Sequence, residues 1–252
     1  MGREAATTPK GDLVHAIHRA LAAHADPERA IGQQRYMRSD LPFLGLTAPT
    51  LRAALRPVLA DPAHRIVDRD EWEATVRHLW DGATYREHRY AALAVLGHRH
   101  HRRWRDPQSL PLLEHLIRTG AWWDVVDSIA THELRDLLLG WPHELDPVLR
   151  AWSRDELLWI RRAAVLAQIG AKERTDTRLL RDVIEATVQD PDFFSRKAIG
   201  WALRDYARTD PDWVREFVTT HPELSGLSRR EALKHLHAQP TADSRSTSTS
   251  GP

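Results

Sequence analysis

The sequence predicts an all-α protein, a curved superhelical array of HEAT-like antiparallel helix pairs. Three observations carry that reading. Apolar residues recur at helical spacing almost throughout, Asp-Pro pairs punctuate the chain, and no alternating strand or Asn-Gly hairpin interrupts it. Asp-Pro stands at 26–27, 61–62, 106–107, 146–147, 190–191 and 210–211, each suited to an N-cap followed by proline in the first helical turn. Ser153-Arg154-Asp155-Glu156 and Ser228-Arg229-Arg230-Glu231 have capping-box spacing and predict further starts at 153 and 228.

In order, helices are expected near 12–25, 27–37, 48–60, 70–80, 86–99, 107–118, 122–138, 145–152, 154–169, 176–188, 191–208, 211–220 and 228–237. Short loops and the absence of a sustained heptad favour stacked helical hairpins over a coiled coil or four-helix bundle. Asp127, Arg162 and Trp201 lie roughly 35 and 39 residues apart, close to the roughly 40–47-residue period of HEAT-type repeats. Equivalent helices would then line one concave face. Residues 12–237 read as a single domain, and the polar ends, 1–11 and 238–252, read as disordered.

Composition narrows the function. The 252 residues are 42% hydrophobic, ordinary for a soluble globular chain, and no apolar run approaches the roughly 20 residues of a membrane span. The N-terminus lacks the hydrophobic core of a secretory signal, so a cytoplasmic location is expected. Without cysteine there is no disulfide and no thiol nucleophile. A formal charge of +1 does not announce a nucleic-acid partner, so a basic stripe has to be sought locally. No phosphate-binding glycine loop, dinucleotide fingerprint or nucleophile elbow is present.

Three helices carry candidate chemistry. In Trp122-Trp123-Asp124-Val125-Val126-Asp127, an indole and a carboxylate stand at i, i+4 (Trp123 and Asp127), on the flank of a stripe formed by Trp122, Val126, Ile129, Ala130 and Leu137. The next, Leu157–Ile169, is apolar nearly all round except that Arg162 shares the arc of Leu158, Leu166 and Ile169. A cation there needs an anion, either a salt-bridge partner such as Asp127 or a phosphate. In the third, Lys197, Trp201, Arg204 and Arg208 form a basic stripe containing an indole. The stripe suits a phosphate-lined strand, unless Trp201 simply packs among snorkelling cations.

Weaker signals are Arg229, Arg230 and Lys234 at a helix start, where positive charge would gain from a bound phosphate, and the His98–Arg105 run (HRHHRRWR). That run contains no acid and could touch backbone phosphates, but it reads as a solvated loop, and its histidines lack zinc-site spacing. No metal and no cofactor are expected.

Tyr36-Met37-Arg38 with Pro42-Phe43-Leu44-Gly45-Leu46, the WWDVVD block, Trp159-Ile160-Arg161-Arg162-Ala163-Ala164, Lys197-Ala198-Ile199-Gly200-Trp201 and Leu227-Ser228-Arg229-Arg230-Glu231-Ala232 together resemble the DNA alkylation repair family, the AlkD-like glycosylases. The likeness runs over residues 12–237. It implies a HEAT-like array with a positively charged concave face for duplex DNA, excision of N3- and N7-alkylated purines, and a monomer. It also implies that Asp127 is the catalytic carboxylate, Trp123 and Trp201 the active-site indoles, Tyr36 an aromatic near the lesion and Arg162 a DNA-contacting arginine. The expected partner is double-stranded DNA containing alkylated purines. The alternative is a non-catalytic helical scaffold that binds DNA or protein.

Overall fold

Side-chain oxygens set the helix starts. In the computed structural model, which describes residues 8–236, Asp26, Asp68, Asp176, Asp192 and Asp210 each accept a backbone N–H from the first turn of the helix that follows. Thr47 and Ser225 do the same for two more.

The helices among the described residues are α1 (Gly11–Ala22), α2 (Pro27–Met37), α3 (Ala48–Ala60), α4 (Arg69–Asp81), α5 (Arg86–Leu96), α6 (Leu110–Gly120), α7 (Trp123–Ser128), α8 (Arg135–Gly140), α9 (Pro142–Trp152), α10 (Leu158–Leu166), α11 (Thr177–Thr187), α12 (Phe193–Tyr206), α13 (Pro211–Thr220) and α14 (Gly226–Leu233). No strand occurs among the described residues, and none of these helices is long and apolar enough to cross a membrane.

Several starts differ from those the sequence predicts. Pro147 lies inside α9, which begins five residues earlier, at Pro142. Asp61-Pro62 opens only a short 3₁₀ turn, and Asp106-Pro107 opens another just ahead of α6. Asp190 does not cap α12: Arg161 and Ser195 take one of its carboxylate oxygens, the other accepts the backbone N–H of Asp192, and Asp192 is the cap. Ser153 turns its hydroxyl back onto Arg150 O at the end of α9, and α10 starts only at Leu158. Ser228 lies within α14, where its hydroxyl donates to Arg196 O, and Ser225 is the cap. Side-chain chemistry suited to a cap is thus spent on tertiary contacts at Asp190 and Ser228 and on the preceding helical turn at Ser153. The tail beyond 236, like residues 1–7, lies outside the described residues.

Helices pack in two rows. Along one, α3 packs on α5, α7 on α10, α10 on α12 and α12 on α14, with side-chain bonds from α5 to α7 completing the series. The other row is formed by α1, α4 and α6, then α9 and α11. Leu, Ile, Val, Ala and Trp side chains between the rows form a continuous core in which Trp72, Trp80 and Phe217 are among the largest fully buried groups. This is a helical-repeat array, as the sequence predicts.

The helix expected over 122–138 forms with one departure. Between α7 and α8, Ile129–Leu134 winds as a π-helix, so the run is continuous from Trp123 to Gly140 but loosened by a wide turn just after Asp127. Such turns are rare and occur often at functional sites.

The His98–Arg105 segment is more ordered than the expected loop. Residues Arg99–Trp104 form 3₁₀ turns, His101 and Trp104 are buried, and the two rings stack at 5.5 Å. His101 Nδ1 lies 2.7 Å from Val95 O.

Histidine burial makes the fold acid-sensitive. His18 and His88 stack at 4.1 Å between α1 and α5; burial and mutual repulsion push His88 down to about 4, and burial with His78 and His15 lowers His18. Burial similarly takes His98 down to about 4. A depressed histidine contributes stability that is complete above its unfolded value of 6.5 and drains away as pH falls toward the folded value, because the unfolded chain takes the proton first. The thermal midpoint is therefore expected to be lower at pH 5 than at pH 7.5, and His88→Gln should flatten that dependence. Equal slopes for the two proteins in a calorimetric pH series would contradict it.

Candidate functional site

The loop before α3 is fixed first. Glu87, fully buried on α5, accepts the backbone N–H groups of Leu44, Gly45 and Leu46 at 2.9, 2.9 and 3.1 Å. Gly45 has φ +93°, and a Cβ there would stand 2.0 Å from Asp26 O. Both the backbone twist and the close approach require glycine. Gly45→Ala is expected to cost at least about 1–3 kcal/mol from backbone strain alone, visible as a lowered thermal midpoint. Unchanged stability would mean the loop is not held as described.

That loop and α2 frame a cavity of about 560 Å³ whose lining includes Tyr36, Phe43, Leu51 and Tyr90 and reaches Asp124 and Ser128 on α7. Tyr36, 76% exposed, thus stands on the rim of the same cavity that opens onto the WWDVVD helix. A second depression, sharing Leu51, Arg52 and Ser128 with the first, continues toward Arg56, Arg99 and Arg135. Arg52 and Arg56 are exposed on α3 and form no ion pair among the described residues.

Two carboxylates on α7 are gripped from opposite sides. Asp124 receives Arg86 Nη2 at 2.6 Å and the Tyr90 hydroxyl at 2.6 Å, both from α5. Asp127 receives Arg162 Nε at 2.7 Å and Nη2 at 2.9 Å, a two-pronged bridge from α10. The third arm of the same guanidinium, Nη1, donates to Phe194 O at 2.6 Å in the first turn of α12. One arginine therefore ties three consecutive helices of the row together. Trp123 lies one turn before Asp127, and Trp201 lies two turns after Phe194; both indoles are partly buried against the core edge. Behind them Trp122, Trp159 and Phe194 pack with ring centroids 5.1–5.6 Å apart.

Arg162 is 5% exposed. Of the two roles left open by the sequence, the salt bridge to Asp127 is the one its geometry displays. Burial pushes the Asp127 carboxyl above its usual range, Arg162 works against that shift, and the nearby Asp124 charge adds to it. A fork-to-fork pair uses one lone pair on each carboxylate oxygen and leaves the others free to accept from water or face a developing cation. Asp127 keeps 16% of its side chain exposed, enough to offer that face.

Three of the basic candidates have partners within the protein. Lys197 Nζ lies 3.0 Å from Glu231, and Arg204 bridges to the same carboxylate. Arg229 donates to Val218 O and His221 O, closing the C-terminal end of α13. Arg230 is exposed on α14 and forms no ion pair among the described residues. Arg86, Tyr90 and Asp124 escaped the sequence reading. Their signal was a basic and an aromatic residue at i, i+4 on the predicted helix 86–99, opposite the unexplained middle carboxylate of WWDVVD.

Comparison with known proteins follows the same residues. A family model described as DNA alkylation repair enzyme matches residues 17–236. Among solved structures, the chain is similar to a protein from Enterococcus faecalis titled a predicted DNA alkylation repair enzyme. The two are 28% identical with a TM-score of 0.73, over 85% of this chain and 98% of that one. No curated protein matches the sequence.

Proposed function

From the chain's membership of the DNA alkylation repair enzyme family, we propose that it hydrolyses the N-glycosidic bond of N3- or N7-alkylated purines in duplex DNA. The observation that carries this reading is Asp127, an ionisable carboxylate held in fixed orientation by Arg162, whose guanidinium also binds the first turn of the helix that carries Trp201, while Trp123 precedes Asp127 by one turn on its own helix. Alkylation at N3 or N7 makes the purine cationic, so the base departs neutral and needs no general acid. One carboxylate then suffices where ordinary glycoside hydrolysis employs two.

Asp127 stabilises positive charge growing on the deoxyribose as the C1′–N bond lengthens, and it accepts a hydrogen bond from the attacking water through its free lone pairs. The Arg162 clamp supplies preorganisation, so the carboxylate does not reorient as charge develops. Indole faces add cation–π attraction to the lesion and sugar, about 0.5–2 kcal/mol each. The lesion stays stacked and the protein grips the backbone, with Arg52, Arg56 and Arg230 the exposed unpaired cations on α3 and α14 available for phosphates. A lyase with a Schiff-base lysine fits less well, because Lys197 is engaged by Glu231.

The test is chromatography of bases released from alkylated duplex DNA in a single turnover. Free N3- or N7-alkylpurine with an intact phosphate backbone supports the reading. Tight DNA binding without release would leave a non-catalytic scaffold.

A further inference from the structure

Helices α12 and α14 meet at Gly200, where a Cβ would stand 2.5 Å from Glu231 Cβ and 3.1 Å from Ser228 O. That close approach carries the Glu231 carboxylate onto the basic stripe of α12. One oxygen takes Lys197 Nζ at 3.0 Å, and the other takes Arg204 Nη1. Lys197 and Arg204 flank Trp201 on the same helix face, at i−4 and i+3. Two of the three cations in the stripe that the sequence offers to a DNA backbone are thus already engaged by an anion of the protein's own, whereas Arg208, Arg52, Arg56 and Arg230 remain without one among the described residues. Lys197 holds the Glu231 carboxyl below its usual range, with Arg204 contributing, so the anion is ionised at neutral pH.

We propose that Glu231 is a specificity-determining residue, an internal counter-anion that makes the grip of Lys197 and Arg204 on phosphate conditional. For an ordinary surface lysine, phosphate contact displaces condensed cations from DNA, and the entropy of their release drives non-specific binding. Here a phosphate must also displace a carboxylate built into α14, so an undamaged duplex gains little from these two side chains. A seated duplex, fixed by contacts along the rest of the row, completes the exchange. The inference rests on the duplex-DNA reading above.

The experiment compares wild type with Glu231→Gln, which retains the Cβ and Cγ packed on Gly200 while removing the charge. Binding to an undamaged duplex is measured against salt concentration, and in parallel to one carrying a stable analogue of an alkylated purine. Glu231→Gln should bind the undamaged duplex severalfold more tightly at low salt. Its slope of log affinity on log salt should steepen by about 1–2, corresponding to one or two additional phosphates at about 0.9 each, and its preference for the lesion should shrink. Adding Lys197→Gln should then undo much of the gain, although the same change in the wild-type background shifts the slope little.

Equal affinity and slope in Glu231→Gln overturn the proposal and leave Glu231 as packing. Should that variant not fold, the Lys197→Gln/Arg204→Gln pair decides: a wild-type-like slope supports the counter-anion, and a slope shallower by about 2 overturns it. A wild type that binds no duplex at any salt instead overturns the DNA reading itself. These failures are therefore distinguishable.

Discussion

Asp127→Asn is expected to bind alkylated duplex DNA while releasing base about 10²–10³-fold more slowly, the scale seen when one preorganised electrostatic contact is removed from an active site. Asparagine keeps the shape but presents an amide N–H₂ where Arg162 needs an acceptor, so it also loses half of the bridge. Three readouts separate the effects. Retained affinity reports that the duplex still seats, a single-turnover rate reports the chemistry, and the thermal midpoint reports the damaged ion pair. A rate within threefold of wild type would remove the carboxylate from the mechanism. The pH profile gives an independent handle. Because burial raises the Asp127 carboxyl above its usual range, the acid limb of the wild-type rate should lie above that of an exposed aspartate, with activity lost as pH falls and the carboxylate protonates.

Arg162→Ala should have the largest effect on stability. The change leaves Asp127 buried with no cation and Phe194 O without its donor. Breaking a buried pair from one side costs about 3–5 kcal/mol, or roughly 6–20 °C in thermal midpoint at about 2–4 °C per kcal/mol for a chain of this size. Removing the guanidinium also removes the influence that lowers the Asp127 carboxyl, so its value rises further in the folded state. A folded value above the unfolded one means the folded protein takes up the proton first. The deficit of Arg162→Ala relative to wild type should therefore shrink as pH falls through that raised value. The acid limb of the rate should move to higher pH in the same variant. Combining Asp127→Asn with Arg162→Ala should recover part of the lost stability, since no unpaired charge remains. Additive losses in the double variant would show that the two side chains act independently.

The fold class and the motif helices were legible because they depend on local signals. Helical apolar periodicity survives any tertiary arrangement, and Asp26 and Asp210 sit where an Asp-Pro start predicts. Asp190, Ser153 and Ser228 failed as start signals because a partner distant in sequence or a neighbouring turn claimed their oxygens, and no local pattern reveals that competition. The Asp127–Arg162 bridge could be suspected from a lone arginine on an apolar arc. Its third arm onto a backbone carbonyl of α12 could not, since carbonyls carry no sequence signature. Lys197 and Arg204 were visible as a basic stripe, but Glu231 was read only as part of a capping box. The Arg86–Asp124–Tyr90 cluster required knowing that α5 lies beside α7.

The π-helical turn at Ile129–Leu134 inserts a phase offset into one long helix, so its two ends present different faces. Upstream, α7 answers to α5 and α10, which hold its two carboxylates. Downstream, α8 answers to α9. A regular α-helix would lock both halves to a single 100° increment per residue, and any adjustment of the α8–α9 seam would swing the carboxylate off its guanidinium. The wide turn offsets the phase between them, so α7 can face α5 and α10 with its carboxylates while α8 faces α9, a pair of orientations that one regular helix would not give together.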